Sequence, residues 1–121
     1  MEVTLLADLV AASDAVAATS ARSKKIATIA ELLRGLEPGE VAIAAGLLSG
    51  VPRQGRVGVG YSTIYSTQPD TAAEPALAIT DLDESISEIQ GATGSGSAGR
   101  RRAILTALLG RATDPEASFI R

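Results

Sequence analysis

The sequence lacks cysteine, histidine and tryptophan, and it contains only three aromatic residues, Tyr61, Tyr65 and Phe119. Without cysteine there are no disulfides, no thiolate nucleophile and no cysteine-ligated zinc. Without histidine there is no imidazole for acid–base catalysis, for a catalytic triad or for metal ligation. These absences exclude many enzyme chemistries, and we assign no catalytic and no metal-ligating residue to this chain.

Long hydrophobic runs and a basic N-terminal segment are also missing. The longest apolar stretch is about eight residues, 41–48, whereas a membrane span needs roughly 20. A secretory signal has a basic segment before its apolar residues, whereas the first basic residue here is Arg22. We therefore expect a cytoplasmic protein without membrane contact.

The apolar residues that are present are mainly alanine and leucine, 22 and 13 of them, which favours helices over strands. Helical spacing predicts helices over about 4–17, 21–35, 40–48, 79–90 and 100–112, the second of them capped at Thr19–Ser20. The third is apolar almost all round and is predicted to be buried. A last helix should start with Asp114 as N-cap and Pro115 in its first position. With helical turns near 61–66, the prediction is a single all-α domain, a compact bundle of six to seven helices. A minor extended piece near 56–59 is allowed.

The charges are segregated along the chain. The net charge is −3, and six acidic residues but no basic one lie between Val57 and Gly99. Eight of the eleven basic residues fall in three clusters, at 22–25, 53–56 and 100–102. The carboxylates of the predicted fourth helix lie opposite its apolar stripe, which predicts a solvated face rather than a cation site: Asp81, Asp83, Glu84 and Glu88.

Two stretches of the sequence resemble each other, one near the predicted second helix and the other near the predicted fifth. Lys24 and Lys25 match Arg100 and Arg101 in register, and small or polar residues precede both pairs. Cations in the first turn of a helix oppose its dipole, whereas the free N–H groups there bind anions. Two helices that begin with cations instead of the usual acidic residues suggest phosphate contacts. The alternative is two ordinary amphipathic helices with solvated basic faces. The basic loop that contains Arg53 is a weaker candidate for the same contact.

An ordered set of segments resembles the N-terminal DNA-binding domain of ATP-dependent DNA ligases, in its compact bacterial form. The set comprises 20–26 (SARSKKI), 31–36 (ELLRGL), 47–60, 94–109 and 114–121. The resemblance implies an all-helical domain with two pseudo-symmetric lobes that grips nicked duplex DNA through its phosphates. Residues 1–121 would be the N-terminal part of that domain, incomplete at its C-terminus.

The resemblance also implies the site residues and the partners. The DNA-binding set would be Ser20, Arg22, Lys24, Lys25, Arg53, Gly94, Ser95, Gly96, Ser97, Arg100 and Arg101. ATP and Mg²⁺ are implied for the parent ligase, a bacterial, nucleoid-associated enzyme of DNA replication, repair and recombination. The Lys-x-Asp-Gly motif of its catalytic domain is absent here, and we expect a monomer. The rival hypothesis is a non-enzymatic helical protein-interaction module whose acidic helix docks a basic partner.

Overall fold

The computed structural model describes residues 4–50, 54, 64 and 66–121. Within these ranges six helices have defined bounds: α1 Leu6–Ala17, α2 Arg22–Arg34, α3 Pro38–Ser49, α4 Ile79–Gly91, α5 Ser97–Gly110 and α6 Asp114–Ile120. The one extended pairing in the described part of the chain is an isolated antiparallel bridge between Leu5 and Ala78. The all-α prediction is confirmed. Arg53 and the extended piece predicted near 56–59 lie outside the described residues.

The six helices form two similar halves. The second half, α4–α5–α6, has the same order as the first half, α1–α2–α3, and similar spacing, since the helix starts are 16 and 16 residues apart in the first half and 18 and 17 in the second. The contacts follow the same pairing, because α1 packs on α2 as α4 packs on α5, and α1 packs on α6 as α4 packs on α3. The third helix of each half therefore packs against the first helix of the other half.

The bridge before α1 and α4 joins the two halves symmetrically. The Leu6 N–H donates to the Leu77 carbonyl at 2.7 Å, and the Ile79 N–H donates to the Thr4 carbonyl at 2.9 Å. Leu6 and Ile79 are the first residues of α1 and α4, and Thr4 and Leu77 each lie two positions earlier. Both helices thus begin at the same junction, where the first N–H of each helix donates to a carbonyl just before the other helix.

The core is aliphatic and is centred on α1, α4 and α5. The fully buried apolar side chains include Leu6 and Leu9 of α1, Ile79 of α4 and Leu109 of α5, together with Leu77 before α4. In contrast, α2 contributes no buried residue. The stripe predicted on α2 is only half-covered, and 57% of Ile26 is exposed. Among the described helices, none is both long and apolar enough to cross a membrane.

The third helix is less buried than the sequence predicted. In α3 only Glu40, Ile43 and Ala44 are buried, and 40% of Val41 is exposed. The prediction was wrong because small alanines make a helix look apolar on every side, although only one face of α3 packs against α4 and α1.

Two helix starts also differ from their predictions. The N-cap of α6 is Thr113, so Asp114 and Pro115 occupy the first two helical positions. The N-cap of α2 is Ala21, which offers no side-chain cap. The hydroxyl of Thr19 does not cap the helix, because it accepts a hydrogen bond from the Ala21 N–H at 3.2 Å instead.

Three helices start with the same carboxylate device at the third helical position. Glu40 of α3, Asp81 of α4 and Glu116 of α6 each accept a hydrogen bond from the backbone N–H of their own N-cap residue, at 2.9, 2.9 and 2.8 Å. A carboxylate at this position satisfies a free donor and complements the helix dipole. Glu40 and Glu116 occupy matching positions in the two halves, and both are buried.

The acidic face of α4 is only partly solvated. Glu84 and Glu88 are exposed as predicted, but Asp81 is half-buried and Asp83 is only 7% exposed. Asp83 is covered because its Oδ1 and its carbonyl both accept hydrogen bonds, each 2.9 Å long, from Nε2 of Gln54. The partner is 29 residues away in sequence, so helical periodicity within α4 could not reveal it.

Candidate nucleic-acid interface

The start of α2 carries cations that no described residue neutralises. Its first residue is Arg22, its first turn contains no acidic residue, and its N-cap provides no side-chain hydrogen bond. Arg22 and Lys24 are exposed and Lys25 is half-buried. The positive end of the α2 dipole and these three cations therefore act in the same region, which is an environment that favours an anion.

The side chains of Arg22, Lys24 and Lys25 make no hydrogen bond or ion pair to any described residue. Other basic side chains are engaged, since Arg34 pairs with Glu31 at 3.3 Å and Arg111 pairs with Asp81 at 3.4 Å. Ser20 lies in the loop before α2 and is exposed. The four residues predicted at this helix start are thus adjacent and accessible to a ligand.

The second predicted set lies in the turn between α4 and α5. Gly94 and Gly96 both adopt the left-handed conformation, with φ of 82° and 78°, which explains why glycine occupies these positions. Gly96 is the N-cap of α5, and Ser97 is its first residue, whose N–H donates to the Gly94 carbonyl at 3.2 Å. The turn is therefore a defined structure rather than a purely flexible linker.

Arg100 and Arg101 fold back onto this turn. Arg100 donates from Nη2 to the Thr93 carbonyl at 2.7 Å and from Nη1 to the Ser95 carbonyl at 3.3 Å. Arg101 donates from Nη2 to the Ala92 carbonyl at 2.7 Å. These carbonyls follow the C-terminus of α4, where cations are favoured by the helix dipole. The hydrogen bonds to these carbonyls thus explain why two arginines lie at the start of α5. The cations at the start of α2 make no such bond to a described residue.

The structure therefore brings the predicted residues together as two clusters, one in each half. Ser20, Arg22, Lys24 and Lys25 form the α2 cluster. Gly94, Ser95, Gly96, Ser97, Arg100 and Arg101 form the α5 cluster. Arg53 lies outside the described residues, but its neighbour Gln54 is tied to α4.

Gln54 is a contact that sequence reasoning missed. Its Nε2 donates to Ser87 Oγ at 2.8 Å as well as to Asp83, and its carbonyl accepts a hydrogen bond from Gln90 Nε2 at 2.8 Å. No signal in the sequence marks this contact, because its partners are distant along the chain and glutamine is common in exposed loops.

Each half also carries a groove between its first two helices. The groove between α1 and α2 has a volume of about 490 Å³, and the one between α4 and α5 about 410 Å³. Matching positions line both, such as Asp8 and Asp81 on the first helices and Leu32 and Leu108 on the second. Both linings carry the same formal charge of −2, from Asp8 and Glu31 in the first groove and from Asp81, Glu84 and Glu88 together with Arg111 in the second.

The chain is similar to bacterial proteins named probable DNA ligase. It is 43% identical over 116 residues to one from Pseudarthrobacter chlorophenolicus and 41% identical over 116 residues to one from Nocardia farcinica. It is 45% identical over 117 residues to one from Sorangium cellulosum. No family model matches the chain, and no solved structure does. The matches cover 95–96% of this chain but only 22–23% of each relative. The chain is thus related to DNA ligases along nearly its whole length, and it spans less than a quarter of theirs.

Proposed function

We propose that this chain is the N-terminal part of the DNA-binding domain of an ATP-dependent DNA ligase. In this role it holds nicked duplex DNA for a separate catalytic domain. The observation that carries the proposal is the cluster of cations at the start of α2, which pair with no residue in the described part of the chain and lie on a helix that has neither an acidic first turn nor a side-chain cap. The relationship to proteins named probable DNA ligase supports the choice of DNA as the anion.

Phosphate contacts suit the accessible cations of the α2 cluster and the glycine-rich turn of the α5 cluster. The α2 cluster offers accessible positive charge beside free N–H groups, which suits a phosphate of any sequence context. The α5 cluster offers a glycine-rich turn and helix start that a DNA backbone can approach closely. Neither cluster contains Asn or Gln, and the proposal assigns the cations to phosphates, which are the same at every base pair, rather than to base edges. Binding should therefore be independent of DNA sequence.

The sealing reaction itself is assigned outside this chain. Among the described residues, no three acidic side chains are grouped so that they could hold a metal ion. The sequence also contains no Lys-x-Asp-Gly segment, and neither Lys24 nor Lys25 is followed by x-Asp-Gly. The residues here do not fit ATP and Mg²⁺, so the proposal places both with another part of the ligase.

The groove between α4 and α5 supports a second candidate, a protein-interaction module. Glu84 and Glu88 are exposed on one side of it, and Ile104 and Leu108 form part of its apolar lining. A basic amphipathic segment of another protein would complement this surface. This candidate predicts no affinity for duplex DNA, because its acidic surface repels phosphates.

The two candidates are separated by the salt dependence of DNA binding. We expect the chain to bind nicked and intact duplexes, with log K falling linearly with log salt concentration and a slope of about −0.9 for each phosphate contacted. Fluorescence anisotropy with a labelled nicked duplex, at several concentrations of potassium chloride, measures this slope. Absence of binding at low salt would contradict the proposal and favour the interaction module.

A further inference from the structure

The turn between α4 and α5 is held by side chains rather than by its own backbone alone. Residues 92–96 contain two glycines in the left-handed conformation, and the Ser97 N–H makes one backbone hydrogen bond to Gly94. Three carbonyls of this segment, those of Ala92, Thr93 and Ser95, accept hydrogen bonds from Arg100 or Arg101. The shape of the turn therefore depends on the two guanidinium groups.

Arg101 is the more deeply placed of the two. Arg100 is exposed, whereas Arg101 is half-buried and its Nε is enclosed without a hydrogen-bond partner. The Nη2 of Arg101 is bound to the carbonyl of Ala92, a residue that is itself buried. A guanidinium that is directed inward in this way is poorly placed to neutralise a phosphate outside the protein.

We propose that Arg101 is a positioning residue, which holds the turn between α4 and α5 in the shape that binds DNA, and that it makes no phosphate contact itself. This inference rests on the proposed function of the chain. In this arrangement the start of α2 supplies accessible cations, and the start of α5 supplies a backbone turn with a fixed shape.

The residue at the matching position in the first half shows why arginine is needed here. Lys25 is the counterpart of Arg101, and its side chain makes no hydrogen bond to a described residue. Lysine carries a compact, strongly hydrated charge, whereas the planar guanidinium presents several donors in a fixed geometry. Lysine at position 101 would therefore keep the charge but lose the geometry that fixes the Ala92 carbonyl.

The test uses four variants of the chain, Arg101→Lys and Arg101→Ala, with Lys25→Arg and Lys25→Ala as the matched pair. Affinity for a nicked duplex is measured at several salt concentrations. Both Arg101 variants should weaken binding about fivefold to tenfold, because a loosened turn must be ordered again on binding. Their salt slopes should equal that of the unmodified chain. Lys25→Arg should bind like the unmodified chain, and Lys25→Ala should flatten the slope by about one.

Hydrogen exchange of the free chain gives a readout that does not involve DNA. The backbone amides of Ser97 and Arg100, which donate to the carbonyls of Gly94 and Gly96, should exchange at least about tenfold faster in both Arg101 variants, because local opening of the turn no longer breaks the Arg101–Ala92 hydrogen bond. The two Lys25 variants should leave these rates unchanged. Amides within α1, far from the turn in sequence, report whether the fold as a whole is intact.

The outcomes separate this inference from the function on which it rests. If Arg101→Lys binds like the unmodified chain while Arg101→Ala flattens the salt slope by about one, Arg101 contacts phosphate and the inference is wrong. Unchanged exchange of the Ser97 and Arg100 amides also overturns it. In both cases the proposed function stands, provided that Lys25→Ala lowers the slope. If the unmodified chain does not bind DNA, both proposals fail together.

Discussion

Replacing Arg22 and Lys24 together by alanine is expected to weaken binding to duplex DNA about 20- to 30-fold at physiological salt. Each phosphate contact contributes a slope of about 0.9 in log K against log salt, so each is worth roughly fivefold near 0.15 M. The slope should accordingly become shallower by about two. Both side chains are exposed and have no partner among the described residues, so their removal should leave the fold unchanged.

The matched control is the double variant Arg34→Ala/Arg111→Ala, which changes the net charge by the same amount. These two arginines already pair with Glu31 and Asp81. We expect the control to change the affinity less than about threefold, since only long-range charge is altered and this is screened beyond about 8–10 Å. Anisotropy titrations of both variants at several salt concentrations measure the difference.

The same titrations should include Glu84→Gln/Glu88→Gln, which removes two exposed carboxylates of α4. The slope of this variant should match that of the unmodified chain, because these carboxylates line the groove between α4 and α5, whereas the proposed phosphate contacts lie at the starts of α2 and α5. A changed slope in this variant, with an unchanged slope in Arg22→Ala/Lys24→Ala, would place the DNA on the other side of the protein.

The elements that could be predicted from sequence are those specified by local periodicity. The bounds of α1, α2 and α4 agree closely with the predicted ones, because aliphatic residues recur at helical spacing along each of these helices. The sequence match between Lys24 and Arg100 also corresponds to a structural repeat, since both residues lie in the first turns of equivalent helices. In these cases residues within one helix carry the information.

The predictions failed where a side chain contacts a residue that is distant in sequence, and where neighbouring residues compete for the N-cap position of a helix. Asp83 was predicted to be solvated, but it pairs with Gln54. Residues within α4 could not reveal this pairing, because it depends on where another segment of the chain lies. Thr113 rather than Asp114 is the N-cap of α6, and the Asp114 carboxylate instead accepts a hydrogen bond at 2.6 Å from the hydroxyl of Thr71, which is 43 residues away in sequence. The charge of Arg101 was visible in the sequence, but its direction toward Ala92 was not. The sequence therefore shows where a charged residue lies on a helix, but it does not show which residue that side chain binds.

Glu40 is expected to make one of the largest polar contributions to stability, because it links two segments that are 36 residues apart. It is only 4% exposed. Its Oε2 accepts a hydrogen bond from the Thr4 N–H at 3.0 Å, and its Oε1 accepts from the Thr4 hydroxyl at 3.0 Å and from the Glu37 N–H at 2.9 Å. The carboxylate therefore ties the start of α3 to the extended segment before α1.

Glu40→Ala should lower the free energy of unfolding by about 3 kcal/mol. The variant removes three hydrogen bonds to a charged group and leaves the Thr4 donors without their acceptor. Thermal or urea unfolding at pH 7 measures the loss. The control is Glu84→Gln, which alters an exposed carboxylate and should change the value by less than about 0.5 kcal/mol.

The stabilisation by Glu40 should also depend on pH. Burial by itself raises the pKa of Glu40, but hydrogen bonds from the backbone of Glu37 and from Thr4 outweigh it and hold this pKa below its ordinary value of 4.5. Because the folded pKa is lower than the unfolded one, the unfolded chain takes up the proton more readily. The contribution is therefore complete above about pH 4.5 and is lost as the pH falls through the folded pKa.

Glu40→Gln isolates this effect, since the amide oxygen can still accept a hydrogen bond but the side chain cannot titrate. The difference in unfolding free energy between the unmodified chain and Glu40→Gln should be largest near pH 7 and should shrink below about pH 4.5. Urea unfolding at pH 7, 5, 4 and 3 measures it. A difference that stayed constant over this range would show that Glu40 stabilises the fold through packing or neutral hydrogen bonds, and that its charge contributes nothing.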